Sequence, residues 1–297
     1  MNNESNVAIL RAMLGDYANT AALKKGEVRS PSVVFDFADV KVPSTAFKDV
    51  VRHLKYDVAE LAIVTFLQAK AHGKPLVLLP AVVVGMLPHP FLVYNAERGR
   101  LTPSDLNGCR VGIRAYSVTT VAWIRGVLQN DHGVDLDSIK WVTYEDPHVA
   151  EYHDPASAER APAGKKLVQM LLDGEVDAGV VGGPDLKDQR LLPVIANPNE
   201  AAKAWCKKYN ALPINHMAVV KESLAKSNPS AVTEIYRLLR ESKQAAPPVR
   251  ELDTIQFGVE NIRRSLELII AYSVQQRLIP RSFEVDELFD ELTRGLS

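Results

Sequence analysis

Residues 110–130 read RVGIRAYSVTTVAWIRGVLQN, and this stretch sets the fold class. Arg110–Ile113 is a short apolar strand, and a helix is expected from about Ser117 to Asn130. A strand that feeds a helix through a brief turn is the working unit of an open α/β sheet. Ligands of such sheets bind beyond the carboxyl ends of the strands.

The same grammar runs outward in both directions. Toward the N-terminus, residues 7–14 and 33–37 read as strands, with a brief helix at 21–25 stopped by Gly26. Phe47, Val50, Val51 and Leu54 then fall at i, i+3, i+4 and i+7 of a helix that Ser44 or Thr45 can cap, and 61–64 and 76–84 are core strands. Toward the C-terminus, 91–94 and 139–143 are strands and 165–172 a helix ended by Asp173-Gly174. From Asn197 the chain turns helical, at 198–209 and then at segments marked by Val232, by Val259 and by 285–292, with one strand at 216–220. Two places echo each other. His53-Leu-Lys-Tyr-Asp57 with the strand after it resembles Asp173-Gly-Glu-Val-Asp177 with its own strand. The echo implies two similar α/β lobes, expected as 1–88 with 198–297 for the discontinuous first and 89–197 for the second. A cleft between them is where a small molecule would bind.

Composition narrows the function. The 297 residues carry 35 Lys+Arg against 36 Asp+Glu, so no basic field exists to hold a nucleic acid. The apolar run at 76–87 is too short for a membrane span and is broken by Pro80 and Gly85. Two cysteines, Cys109 and Cys206, make neither a disulfide framework nor a thiolate zinc site. Met1-Asn-Asn-Glu-Ser5 lacks the basic start and apolar core of an export signal, so a cytoplasmic location is expected. A Walker loop, a dinucleotide fingerprint and a Gly-x-Ser-x-Gly elbow are all missing, which weighs against nucleotide and esterase chemistry.

Three groups of residues carry chemistry. In the turn after 110–113, Arg114 can fork a carboxylate while Tyr116, Ser117, Thr119 and Thr120 add donors at a helix N-terminus. After the strand at 139–143, Glu145, Asp146, His148, Glu151, His153 and Asp154 crowd one loop. That loop suits acid/base work by His148 or His153 beside carboxylates, and a divalent metal there would use His148 and His153. His89 and His216 stand where the chain crosses between lobes, while Glu60 and Thr65 flank a core strand of the first lobe and face the cleft.

Several long motifs together resemble the 4,5-dihydroxyphthalate decarboxylases. They are Thr65-Phe-Leu-Gln-Ala-Lys-Ala-His-Gly-Lys-Pro-Leu-Val-Leu-Leu-Pro80, Gly112-Ile-Arg-Ala-Tyr-Ser-Val-Thr-Thr120 with Trp123-Ile-Arg125, Glu145-Asp-Pro-His-Val-Ala-Glu-Tyr152 and Pro213-Ile-Asn-His-Met217. The resemblance extends over residues 7–289. It implies a two-lobed, type 2 periplasmic-binding-protein-like α/β fold and loss of one carboxylate from 4,5-dihydroxyphthalate, giving protocatechuate and CO2 without an organic cofactor. It also draws Thr20 of the first loop into the substrate site. Two departures stand out: Gly85-Met-Leu-Pro-His-Pro90 has no arginine beside His89, and Asp16-Tyr-Ala-Asn-Thr20 has none before its threonine.

The expected mechanism has Arg114 and the helix start hold the carboxylate that stays. His148, His216 or His89 protonates the ring carbon, with Glu145 or Asp146 as orienting partner or phenol base. The expected partner is a small aromatic carboxylate, with no nucleic acid and no membrane; a homo-oligomer is compatible with the chain. The alternatives are a decarboxylase of a related hydroxyaromatic acid and a solute-binding protein, which needs the cleft but no proton donor.

Overall fold

The computed structural model describes residues 7–249 and 251–297. The leader reading of Met1–Ser5, like the first residues of the 1–88 segment, lies outside the described residues. The chain first lays down β1 (Ala8–Met13), α1 (Ala18–Lys24), β2 (Val33–Phe37), α2 (Phe47–His53), β3 (Val58–Ala62), α3 (Ile63–Ala71) and β4 (Leu76–Gly85). It then forms β5 (Leu92–Asn95), β6 (Arg110–Ile113), α4 (Thr119–His132), β7 (Lys140–Thr143), β8 (Ala158–Arg160), α5 (Leu167–Asp173), β9 (Ala178–Val180) and β10 (Leu191–Pro193). The return comprises α6 (Pro198–Tyr209), β11 (Ile214–Lys221), α7 (Glu222–Ser227), α8 (Pro229–Gln244), α9 (Val259–Gln275) and α10 (Glu291–Arg294).

Two sheets result, a five-stranded one in the order β2-β1-β3-β11-β4 and a six-stranded one in the order β10-β5-β9-β6-β7-β8. Both are mixed, with four of the five strands in the first and five of the six in the second running the same way. In the first sheet β11 runs antiparallel to both neighbours. In the second, β5 does the same between β10 and β9. In each sheet the strand that crosses from the other lobe is inserted against the run of the rest. Discounting the edge strand β8, the two orders therefore superimpose, with β1 matching β6 and β3 matching β9.

The sequence echo falls on these matching strands. Asp57 accepts from the Arg11 backbone N–H at 2.9 Å and returns its own N–H to the Arg11 carbonyl at 2.8 Å. Asp177 makes the same double clasp with Arg110, at 2.8 Å for each bond. An aspartate at a strand start can satisfy the backbone of the neighbouring strand while its own backbone begins the ladder, so both sheets are indexed by one device.

Three elements depart from the sequence reading. The segment at 61–64 is not a strand throughout, because β3 stops at Ala62 and Ile63 opens α3. Every residue of α3 from Ile63 to Ala69 is buried, so no polar face marked it as a helix. Ahead of α2 lies a 3₁₀ turn, Pro43–Ala46, in place of a Ser44 or Thr45 cap, and the Thr45 hydroxyl donates back to the Val42 carbonyl. The expected final helix at 285–292 is a 3₁₀ turn, Val285–Leu288, followed by the short α10. No described helix is long and apolar enough to cross a membrane.

Candidate active site

Glu60 lies at the centre of the first sheet on β3 and is fully buried. A buried carboxylate is tolerated only when its lone pairs are filled, and here they are. The Gly15 N–H donates to Oε2 at 2.8 Å, the Tyr17 hydroxyl donates to Oε1 at 2.8 Å, and His216 Nδ1 lies 2.9 Å from Oε1. Strand register explains the last contact. Ala218 of β11 pairs with Glu60, so His216, two residues along, occupies the diagonal position on the same face. The carboxylate accepts the Nδ1 proton and leaves Nε2 of a partly exposed ring for the cleft. Burial and the Glu60 charge push the Tyr17 phenol upward, so it remains a donor.

Sequence reasoning passed over Gly15 and Tyr17. A Cβ on Gly15 would meet the Tyr17 ring at 2.5 Å, so only glycine lets that ring lie across the loop. Thr20, expected to touch substrate, braces this loop: its buried hydroxyl donates to the Gly15 carbonyl at 2.7 Å and accepts from the Tyr17 N–H at 3.0 Å. The signal that could have found the pair is position, since residues 14–17 follow the carboxyl end of β1.

His148 faces this cluster from the second lobe. Its Nδ1 is 2.8 Å from the Thr65 hydroxyl, and its ring stands edge-on to Phe47 at 5.4 Å, while His216 meets the same Phe47 ring at 5.0 Å. Burial, with Arg114, Lys48, His216 and Arg52 around it, pushes His148 down to about 3. It is therefore neutral at physiological pH. Arg52 of α2 clamps the loop that carries it, donating to the Pro147 and His148 carbonyls at 2.7 Å each. Phe47 was expected only on a buried helix stripe, and Lys48 and Arg52 drew no expectation, yet the three form one wall of the site.

Arg114 pairs with Glu145 at 3.0 Å, and both are half-exposed. The helix beyond begins at Thr119 with Val118 as its cap, so Ser117 is buried without a capping role. The Thr119 hydroxyl accepts from the Val64 N–H at 3.2 Å, joining the starts of α3 and α4, and Thr120 accepts from Asn215 at 3.3 Å. Two helix N-termini thus converge beside the histidines, a favourable setting for an anion.

Tyr116 and His89 stand elsewhere. The Tyr116 ring turns inward and packs against the Arg125 guanidinium at 3.7 Å. His89 is buried near Trp205 at 6.3 Å, and its titratable neighbours are Asp131 and His132 at the far end of α4. That end is about 18 Å along the helix from Thr119. Asp146 pairs with Arg160, and Glu151 with Lys74 at 2.5 Å. His153 is exposed whereas His148 is buried, and among the described residues no three His, Cys, Asp or Glu side chains are grouped to hold a metal ion. A cavity of about 580 Å³ lies outside this region, between α6 and α9, and shares no residue with the Glu60 cluster.

The 4,5-dihydroxyphthalate decarboxylase of Comamonas testosteroni is 29% identical over 252 residues, 80% of this chain and 75% of that protein. The chain resembles the 4,5-dihydroxyphthalate decarboxylases. A second such decarboxylase, from Pseudomonas putida, is 29% identical over 225 residues, 71% of this chain and 83% of that protein. No known family profile matches the chain. Among solved structures, the periplasmic aliphatic sulphonate binding protein SsuA of Escherichia coli aligns with a TM-score of 0.62 at 14% identity, covering 95% of this chain and 97% of that one. The desulfurization enzyme DSZB aligns with a TM-score of 0.56 at 14% identity, covering 97% and 98%. The fold is that of the two-lobed periplasmic-binding-protein-like proteins.

Proposed function

We propose that this protein is a carboxy-lyase that removes one carboxylate from 4,5-dihydroxyphthalate or a close hydroxyaromatic relative, giving protocatechuate and CO2 in the first case. The observation that carries the reading is the buried Glu60–His216 pair, held by Gly15 and Tyr17 and facing a cationic wall. A protein that only binds a solute has no need of a buried carboxylate–imidazole pair. The sequence likeness to two decarboxylases supports the same conclusion.

In this mechanism Arg114 and the starts of α3 and α4 grip the carboxylate that stays, which competes with Glu145 for the guanidinium. His216 delivers its Nε2 proton to the ring carbon that bears the leaving carboxylate. The new C–H bond takes an electron pair from the ring, assisted by the para hydroxyl. The C–CO2 bond then breaks, its pair restores the aromatic ring, and CO2 departs. Glu60 holds the imidazole in place and steadies its charge. His148 is neutral, which removes it from the proton-donor role expected of it and leaves it as a hydrogen-bonding neighbour in a dry wall. One general acid supplies roughly 10²–10⁴-fold, and fixed charges in a closed cleft supply the rest.

Purified protein incubated with 4,5-dihydroxyphthalate should release CO2 and protocatechuate in equal amounts. Saturable binding without turnover would instead establish a solute-binding protein for an aromatic carboxylate. Loss of turnover on adding a chelator would bring a divalent metal into the reaction.

A further inference from the structure

Arg125, on α4, is fully buried and has no acidic partner at ion-pair distance among the described residues. Its guanidinium stacks on Tyr116 at 3.7 Å and lies 5.4 Å from the Trp141 ring. Nη2 donates to the Tyr116 carbonyl at 2.7 Å, and Nε donates to Gln276 Oε1 at 2.9 Å. Gln276 in turn donates to the Ala122 carbonyl at 2.8 Å, which fixes it to α4. Nη1 has no partner. Two other buried polar atoms within its electrostatic reach are also without one, the Tyr152 hydroxyl and Asp154 Oδ1. The three are complementary: an N–H donor, a carboxylate acceptor and a hydroxyl that serves as either. Buried polar groups left open in this way favour a shared partner, and a side-chain rotation or a bridging water would supply it.

Tyr116 belongs to the turn that carries Arg114, whereas Tyr152 and Asp154 close the loop that carries Glu145 and His148. We propose that Arg125 is a positioning residue: one buried guanidinium ties both cleft loops of the second lobe together and so sets where Arg114 and His148 stand. An unpaired buried cation is a costly way to fill space, and methionine would do it more cheaply. A planar fork with several N–H groups is what spanning two loops requires. Arg52 secures the outer side of the 145–154 loop from the first lobe, and Arg125 secures its inner end.

The role given to Arg114 in gripping substrate rests on the decarboxylase reading, but the linkage does not, so its test avoids turnover. Arg125→Met and Asp154→Asn, each verified as folded by circular dichroism, are compared with the parent by hydrogen exchange and by NMR titration of the His148 ring. Amides of residues 114–118 and 145–154 should exchange at least about tenfold faster, with the rest of α4 unchanged. Followed from pH 7 to 4.5, the His148 ring signals should begin to shift in the variants as the pocket opens and stay still in the parent, where burial holds the group near 3. Parental exchange in both loops, or loosening spread evenly through α4, would overturn the proposal. Should Arg125→Met fail to fold, Asp154→Asn and Tyr152→Phe decide by the same readouts. With an active enzyme, KM should rise at least tenfold more than kcat falls; a protein without turnover leaves the exchange and NMR results just as decisive.

Discussion

Acid should destabilise this protein before most of its carboxylates titrate, because buried histidines resist protonation. Burial sends His148 from the ordinary 6.5 to about 3 and His89 to about 4. Between those values and 6.5 the unfolded chain binds a proton at each site that the native chain refuses. Stability is therefore fully present above pH 6.5 and lost as pH falls through that window. Each site contributes about 1.4 kcal/mol per pH unit, so lowering pH from 7 to 4.5 costs roughly 5 kcal/mol for the pair. That is a large share of the total, about 5–15 kcal/mol for a domain. Urea unfolding followed by fluorescence of the buried Trp123, Trp141 and Trp205 measures it directly. With a slope of about 2–3 kcal/mol per M, the midpoint should drop by about 2 M between pH 7 and 4.5. Between pH 6.5 and 5 exposed carboxylates change little, so the slope there belongs to the histidines. His148→Gln should take one proton out of the pH slope without abolishing it, since burial also holds His89 and His132 below the ordinary value. A midpoint that stays flat from pH 7 to 5, or a slope unchanged in that variant, would refute the reasoning.

His216→Asn should lower kcat by about 10²–10⁴-fold while KM moves little, since the acid acts on the transition state. Steady-state kinetics across pH would check this, and residual activity near the parent's would move the proton donor elsewhere. Tyr17→Phe removes one of the three bonds to Glu60 and should cost roughly tenfold in kcat, about 1.4 kcal/mol. Gly15→Ala should reproduce that loss by displacing the same ring, which its Cβ would meet at 2.5 Å. Parental kinetics in both variants would show that Glu60 needs no such support. Arg114→Ala should raise KM by roughly 10–100-fold, the worth of a charge-assisted contact, and an unaltered KM would place the anion elsewhere.

The fold was legible in the sequence because strand and helix patterns alternate and because residues 110–130 hold a strand, a turn and a helix in sequence. The inserted antiparallel strands were not legible, since β5 and β11 read like any apolar strand and only pairing reveals their direction. At the site, Glu60 and His216 were each noticeable alone. What joins them is a diagonal across two strands 156 residues apart, which no local pattern records. His89 misled for a related reason. Leu92 pairs with Val180 as Ala218 pairs with Glu60, so the counterpart of His216 is Pro90 and His89 falls one residue out of step. His89 also precedes β5, in a 3₁₀ turn over His89–Phe91, so no strand alternation aims it at the cleft. Tyr116 misled because a turn tells nothing about which of its side chains faces inward.

The repeated aspartate clasp carries a consequence for substrate chemistry. Counting from Arg11 and Arg110, Gly15 and Arg114 occupy corresponding places; counting from Asp57 and Asp177, Glu60 corresponds to Val180. On the proposed function, one half of a twofold scaffold has become the keeper of a proton and the other the keeper of a charge. 4,5-Dihydroxyphthalate is itself twofold symmetric, with two interchangeable carboxylates in solution. On the proposed function, the cleft abolishes that symmetry: one carboxylate is addressed by His216 and the other by Arg114. A substrate missing one hydroxyl, whose carboxylates already differ, would then be cleaved at a single one of them, the carboxylate para to the hydroxyl that remains.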